Sequence, residues 1–153
     1  MIEEQLVNFE TAKILKEKEI FIDCFYHYSE YGFLRENSVS NLIYVSTHKL
    51  YANNVDFELD RWGGGDKNSI AAPAQSLLQR WLREEHNIII SVVPFYNNTT
   101  GICTLDGYTF LIFEKESFEA ITNDEDYKTY EEALEFGLKE ALKLIKNHET
   151  DQM

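Results

Sequence analysis

One stretch of the chain combines glycines with side chains that could bind a phosphate. Residues 60–69 read DRWGGGDKNS and stand directly before the pattern of a helix start. A P-loop requires Lys directly after its last Gly and a hydroxyl directly after that Lys. Here Asp66 precedes Lys67, and Asn68 follows it. We therefore predict a flexible glycine-containing loop over residues 60–72 instead of a nucleotide site.

The spacing of Cys24 and His27 could indicate a metal site. Both residues lie in a strand-like run, where residues three apart point to opposite faces and cannot bind one ion. The other histidines, His48, His86 and His148, lack the spacing of metal ligands. We predict neither a metal nor a cofactor.

The chain shows no pattern for nucleophilic catalysis, because it contains no G-x-S-x-G elbow. Cys24 and Cys103 lie in apolar, strand-like runs, which favours packing over reactivity. The acidic run Asp124, Glu125 and Asp126 is typical of a solvated surface. The sequence therefore assigns no catalytic residue and favours a protein without enzymatic activity.

A ligand-binding surface is predicted near the glycine-rich segment. It combines an aromatic ring, a loop cation and polar groups of the following helix: Trp62, Lys67, Gln75, Arg80 and Arg83. Free amides at a helix start can bind an anion, so anion binding beside Lys67 stays open. Trp81, by contrast, is predicted to pack in the core.

The charge balance excludes several classes of partner. The 153-residue chain has 27 acidic and 14 basic residues, for a net charge of −13. Such a surface repels nucleic acid phosphates and anionic membranes. Two interpretations remain, namely solubility and mimicry of nucleic acid that would occupy a basic partner.

The cysteines and the apolar runs indicate the compartment. Two cysteines provide no disulfide framework, and the stretch MIEEQLVNFETAK lacks the regions of a signal peptide. No apolar run approaches the ~18 residues of a membrane span. We therefore expect a cytoplasmic protein with reduced cysteines.

Local patterns predict two helices with strands between them. Asn8 is a candidate N-cap for the first helix, and residues 20–34 read as a strand with a turn near Gly32. Residues 41–46 and 55–59 are further strand candidates. A second helix is predicted from Pro73, which suits the first helical position. Its apolar stripe comprises Leu77, Leu78, Trp81 and Leu82. Its other expected features are an Arg80–Glu84 pair and a left-handed Asn87 at its end.

The C-terminal half predicts strands and a closing helix. Strand patterns occupy residues 88–96, 102–105 and 108–114, and Asp106–Gly107 is a two-residue hairpin signal. These strands predict a three-stranded antiparallel meander. In the closing helix, Thr129 and Glu132 form a predicted capping box, and Gly137 indicates close approach to a strand. Residues 148–153 are predicted to be a disordered tail.

These elements predict a single α+β domain over residues 1–153. Tight turns favour an antiparallel sheet, and helices with one apolar face must cover it. We therefore expect an antiparallel sheet, which includes the meander, packed against two or three helices.

Three segments together resemble a family of small proteins found in gut bacteria and in their phages or mobile elements. They read FETAKILKEKEI, IAAPAQSLLQRWLREEHNI and YKTYEEALEFGLKEALKLI. The family has no assigned activity, so the resemblance implies a stand-alone cytoplasmic protein of an accessory genome and no catalytic residue. The family pattern often has Thr at the position of Ala74 and Gly at the position of Glu19.

Three functional hypotheses follow from the sequence. The favoured one is a non-enzymatic module that binds a host or phage protein. The others are an acidic decoy of a nucleic-acid-binding protein and a small enzyme whose site assembles only in the fold. A homo-oligomer is also left open.

Overall fold

The fold comes from a computed structural model, which describes residues 3–36 except 21, 23, 25 and 30, and residues 70–146 except 100 and 118. The chain divides into two compact units, Met1–Ala74 and Gln75–Met153. Helices and antiparallel strands occur in both units, so the predicted α+β class is confirmed. Four predicted features lie outside the described residues: the strands 41–46 and 55–59, the segment 60–69 and the tail 148–153.

Helix α1, Phe9–Glu17, begins at the predicted N-cap. The Asn8 side chain accepts a hydrogen bond from the Thr11 amide at 2.9 Å. This bond satisfies one of the amides that a helix start leaves free. Thr11, Ala12 and Leu15 are buried, so the helix packs through the face that these residues share.

The end of α1 contains a residue in the left-handed conformation. Glu19 has φ = 55°, and its amide donates to the Lys16 carbonyl at 3.1 Å. The Ile20 amide donates to the Leu15 carbonyl at 3.0 Å. These two bonds define a Schellman motif, in which Gly usually takes the left-handed position. Glu19 therefore stands where a residue without a Cβ would fit best.

The N-terminal unit contains a three-stranded antiparallel sheet in the order β2-β1-β3. Its strands are β1, Tyr26–Tyr28, β2, Leu34–Glu36, and β3, Ile70–Ala71. The predicted turn near Gly32 is present, and Gly32 has φ = 85°. Within the segment 60–72 predicted as a flexible loop, Ile70 and Ala71 form the buried strand β3, and residues 60–69 lie outside the described residues.

Helix α2, Gln75–His86, begins two residues after Pro73, the predicted first residue. The Pro73 carbonyl accepts a hydrogen bond from the Val7 amide at 2.9 Å, and Ala74 forms an antiparallel bridge with Leu6. Pro73 therefore belongs to an extended segment beside Val7, and this backbone pairing delays the helix start.

The buried face of α2 differs from the predicted stripe. Gln75, Leu78 and Leu82 are buried, whereas Leu77 is exposed and Trp81 is half-buried. The prediction that Trp81 packs in the core is wrong, because its ring lies against that of His86 with centroids 4.6 Å apart. The buried face of α2 therefore includes Gln75 in place of Leu77 and Trp81.

The two ends of the predicted α2 pattern agree with the structure. Arg80 Nε lies 2.8 Å from a carboxylate oxygen of Glu84 on the exposed face. Asn87 has φ = 55° directly after the helix. Both local predictions are confirmed, since neither depends on which face is buried.

Strands β4, Ile88–Asn97, and β5, Thr104–Glu114, form an antiparallel hairpin. The predicted three-stranded meander is wrong, because residues 104–114 form one continuous strand. Asp106–Gly107 is not a turn. Phe95 lies opposite Gly107 and Tyr96 lies opposite Leu105, which leaves Asp106 without a partner on β4. The dipeptide therefore marks a β-bulge.

Gly107 is required by the close approach of another backbone segment. A Cβ at this position would lie 2.7 Å from the Tyr127 carbonyl oxygen and 2.9 Å from Phe95 Cζ. Tyr127 exchanges both backbone hydrogen bonds with Tyr108, at 2.7 and 2.8 Å. Ile121 does the same with Ile112, so the segment before the last helix runs along β5.

Helix α3, Tyr130–Leu144, has the predicted N-cap. The Glu132 amide donates to Thr129 Oγ1 at 3.2 Å. The Glu132 carboxylate accepts from the Lys128 amide at 3.2 Å, one residue before the amide that the capping box predicts. Both side chains of the capping box therefore form hydrogen bonds with the backbone, but Glu132 binds the Lys128 amide instead of the Thr129 amide.

Gly137 lets α3 pack closely on the hairpin. A Cβ at Gly137 would lie 3.0 Å from Ile90 Cγ2 and 3.2 Å from Phe110 Cβ. The predicted close approach to a strand is confirmed. The core of the C-terminal unit thus lies between α3 and the hairpin face that carries Ile90, Phe110 and Ile112, all of which are buried.

Candidate functional site

The five residues of the predicted ligand-binding surface are placed differently. Trp62 and Lys67 lie outside the described residues. Gln75 is buried, whereas Arg80 and Arg83 are exposed on the same helix. Gln75 therefore does not belong to the exposed surface that carries the two arginines. Ligand binding at the glycine-rich segment stays a prediction, since Trp62 and Lys67 lie outside the described residues.

A buried polar pair joins α2 to α3. Gln75 Nε2 donates to Glu135 Oε2 at 2.6 Å and to the Glu131 carbonyl at 3.2 Å. Gln75 and Glu135 are 4% and 6% exposed. A buried carboxylate needs such donors, because burial of even a neutral polar group without hydrogen bonds costs on the order of 2–7 kcal/mol, and burial of a charged group costs more. The pair thus fixes the register of the two helices.

Sequence patterns alone missed Glu135, although a signal is present. Glu135 stands three residues before Leu138 and seven before Leu142, which places it on the apolar face of the helix. A carboxylate at such a position requires a buried donor. The sequence does not say which of the distant polar residues provides that donor.

The described residues that could support metal or thiol chemistry are dispersed. No group of three or more His, Cys, Asp or Glu side chains within the described ranges could hold a metal ion. Cys24 is buried, and its thiol donates to the Tyr26 carbonyl at 3.3 Å. Cys103 is exposed and lies before β5, so the prediction that it packs in a strand is wrong.

The acidic run before α3 directly precedes a buried tyrosine. Asp124, Glu125 and Asp126 are exposed, as predicted for a solvated run. Tyr127 is buried and stacks on Phe136, with ring centroids 4.7 Å apart. Burial raises the pKa of Tyr127, a hydrogen bond from Asn123 opposes this rise, and the Glu125 charge adds to it.

Three strongly exposed apolar side chains of the C-terminal unit lie at the end of the hairpin. Tyr96 is 59% exposed, Ile102 is 68% exposed and Leu105 is 50% exposed. Tyr96 and Leu105 lie directly opposite each other in the register, so their side chains share one face. We name these three residues, together with the exposed Cys103, the hairpin end.

The hairpin end belongs to the longest uncharged part of the sequence. From Asn87 to Leu105 there is no Asp, Glu, Lys or Arg, although 27% of the chain is charged. Exposed strands and turns of soluble proteins usually carry charges that prevent association. The hairpin end lacks this protection, which is unusual in a chain with a net charge of −13.

The N-terminal unit exposes a second apolar group of similar exposure. Tyr31 is 77% exposed, Phe33 is 65% exposed, and Leu34, the first residue of β2, is 49% exposed. In the sequence this group stands between Glu30 and Arg35, so its uncharged run is much shorter than the run from Asn87 to Leu105. It is therefore a less distinctive surface than the hairpin end.

The chain matches no protein-family model, no curated protein and no solved structure. Across the residues that the structure describes, no helix has both the length and the apolar character of a membrane span. The exposure of the hairpin end and its lack of charge make it the candidate functional site.

Proposed function

We propose that the protein is a non-enzymatic interaction module that binds another protein through its hairpin end. The observation that carries this proposal is the exposure of Tyr96, Ile102 and Leu105 on an uncharged hairpin. Grouped apolar side chains on a soluble surface are typical of protein interaction sites. Aromatic anchors such as Tyr supply much of the binding energy at such sites.

The geometry of the hairpin suits a binding role. The stem is held by the close contact of Gly137 with Ile90 and Phe110, and the apolar residues stand beyond this anchored part. A rigid base under a small apolar end limits the conformational entropy that binding must overcome. The accessory-genome resemblance supports a partner from a host or a phage.

The acidic decoy hypothesis gains less support. Such a decoy needs a continuous stripe of carboxylates that imitates a phosphate backbone. The uncharged run from Asn87 to Leu105 interrupts any such stripe along the hairpin. The charge of −13 is better explained by solubility.

The test compares capture by the wild type with capture by a variant of the hairpin end. Crosslinked pull-downs from a gut-bacterial lysate would use the wild type, Tyr96→Ser/Ile102→Ser and Ile89→Thr. Ile89 is the matched control, because it is 50% exposed on the same strand but near the opposite end of β4.

The expected result is a protein recovered by the wild type and by Ile89→Thr but lost with the double variant. Recovery that does not change between the three proteins would contradict a role of the hairpin end. The absence of any protein above background with the wild type would contradict the module itself.

A further inference from the structure

The uncharged hairpin end restricts the kind of surface that can cover it. A strongly charged partner would lose hydration there without gaining an opposite charge, which costs binding free energy. The best match is a second surface that is also apolar and uncharged. The chain itself provides such a surface in its own hairpin end.

Electrostatic repulsion between two copies of the chain favours contact at the hairpin end over contact at charged surfaces. Two copies that each carry a charge of −13 repel each other over most orientations. The repulsion is least where the approaching surfaces have no charges of their own. In the described part of the C-terminal unit, the run Asn87–Leu105 meets this condition, while α3 carries Glu131, Glu132 and Glu140.

We propose that two copies of the chain associate through their hairpin ends, in a two-fold arrangement. This inference rests on the proposed function in that it uses the same surface, and it adds a second copy of the chain as an occupant of that surface. In a two-fold contact each patch meets its own copy, so Tyr96 and Ile102 of one copy pack against the same group of the other. The two Cys103 side chains then come close together.

The size and border of the contact determine its strength. Three large side chains per copy would bury a total surface area below about 1,200 Å², which is at the low end of the range for protein interfaces. Such a dimer is weak, with a Kd in the micromolar range or above. Asp106 is exposed directly after Leu105, and its charge at the border opposes association, most strongly at low salt.

The deciding experiment is sedimentation equilibrium of the purified full chain from about 10 μM to about 500 μM. The wild type is expected to show a reversible monomer–dimer equilibrium. Tyr96→Ser/Ile102→Ser is expected to weaken it by about tenfold or more, and Ile89→Thr by less than about threefold. Asp106→Asn is expected to tighten it severalfold at low salt, with little change at high salt.

A second measurement uses Cys103 as a position marker. A short bismaleimide reacts with two neighbouring thiols, and Cys24 is buried. The reagent is expected to link two copies of the wild type and no copies of Cys103→Ser. Circular dichroism of each variant confirms that it is folded, which is expected because the substituted side chains are exposed.

Three outcomes would overturn the inference. They are a monomer at every concentration, a dimer that the double variant leaves unchanged, and a dimer in which Cys103 cannot be linked. If the wild type is monomeric but still captures a protein that depends on Tyr96 and Ile102, only the self-association fails. If that capture also fails, the proposed function fails with it.

Discussion

The Gln75 side-chain nitrogen lies 2.6 Å from a carboxylate oxygen of Glu135, and both side chains are buried. This contact joins α2 and α3 through two residues that are 60 positions apart along the chain. Hydrogen bonds to buried charged groups are among the stronger ones in proteins, and their loss is costly when one partner stays behind.

The first prediction tests this pair by comparing a single with a double substitution. Gln75→Leu is expected to lower the free energy of unfolding by about 2–3 kcal/mol, because it removes donors from a buried carboxylate. Gln75→Leu/Glu135→Leu is expected to recover most of this loss, since no carboxylate then stays buried. Urea denaturation measures each variant. A double variant as unstable as Gln75→Leu would contradict the coupling.

The second prediction concerns the alkaline stability of the C-terminal unit. The pKa of Tyr127 is raised from 10.0, first by burial and then by the Glu125 charge, against a hydrogen bond from Asn123. The folded state therefore keeps its proton at a pH where the unfolded state loses it. The resulting stabilisation is complete below the unfolded pKa and is lost as the pH rises through the folded pKa.

Urea denaturation between about pH 8 and about pH 11 tests this sign. Above pH 10, the unfolding free energy is expected to fall more steeply in the wild type than in Tyr127→Phe. Tyr130→Phe is the matched control, because Tyr130 is exposed and this variant leaves the Tyr127 hydroxyl in place. Equal slopes for the wild type and Tyr127→Phe would contradict the assignment.

The third prediction is a stabilising substitution at the end of α1. Glu19 has φ = 55°, a conformation that costs a residue with a Cβ about 1–2 kcal/mol. Glu19→Gly removes this cost but adds backbone freedom to the unfolded chain. The expected net gain is about 0.5–1 kcal/mol, visible as a higher urea midpoint. Glu19→Ala is the control and should show no such gain, because it keeps a Cβ.

The fourth prediction concerns the contact at Gly107. Gly107→Ala is expected to lower the free energy of unfolding by about 2 kcal/mol or more. Its Cβ would lie 2.7 Å from the Tyr127 carbonyl oxygen, and a backbone atom cannot move aside as a side chain can. Thermal unfolding measures the effect.

Gly101 provides the matched control for this substitution. It has φ = 75° and no neighbour within 4 Å of a Cβ, so Gly101→Ala should lose only about 1–2 kcal/mol through backbone strain. A smaller effect at Gly107 than at Gly101 would show that the Tyr127 segment moves away from β5 at little cost.

The sequence predicted the features that depend on neighbouring residues. The caps at Asn8 and Thr129 need only the amides three residues ahead, and the left-handed Asn87 needs only its own backbone. The α+β class followed from the alternation of helical and strand patterns. The position of Gly137 within the apolar stripe of its helix was likewise enough to predict that this helix packs closely on a strand.

The sequence did not predict features that depend on distant contacts. Pro73 pairs with Val7, so the start of α2 is set by a segment far away along the chain. Asp106–Gly107 has the composition of a turn, but the approach of Tyr127 holds it in a strand. The hairpin end was missed because exposure is a property of the fold, whereas its lack of charge was already visible in the sequence.

The unpaired Asp106 has a consequence for how the hairpin can evolve. β5 contains one residue more than its pairing with β4 requires, and this extra residue brings Leu105 opposite Tyr96. If Asp106 were instead drawn into the pairing, Leu105 would move one position along and turn to the other face. An insertion or deletion of one residue, with no change of residue type, would then separate the two apolar side chains. Under the proposed function, a change of chain length in this hairpin would therefore be as damaging as a change of residue type.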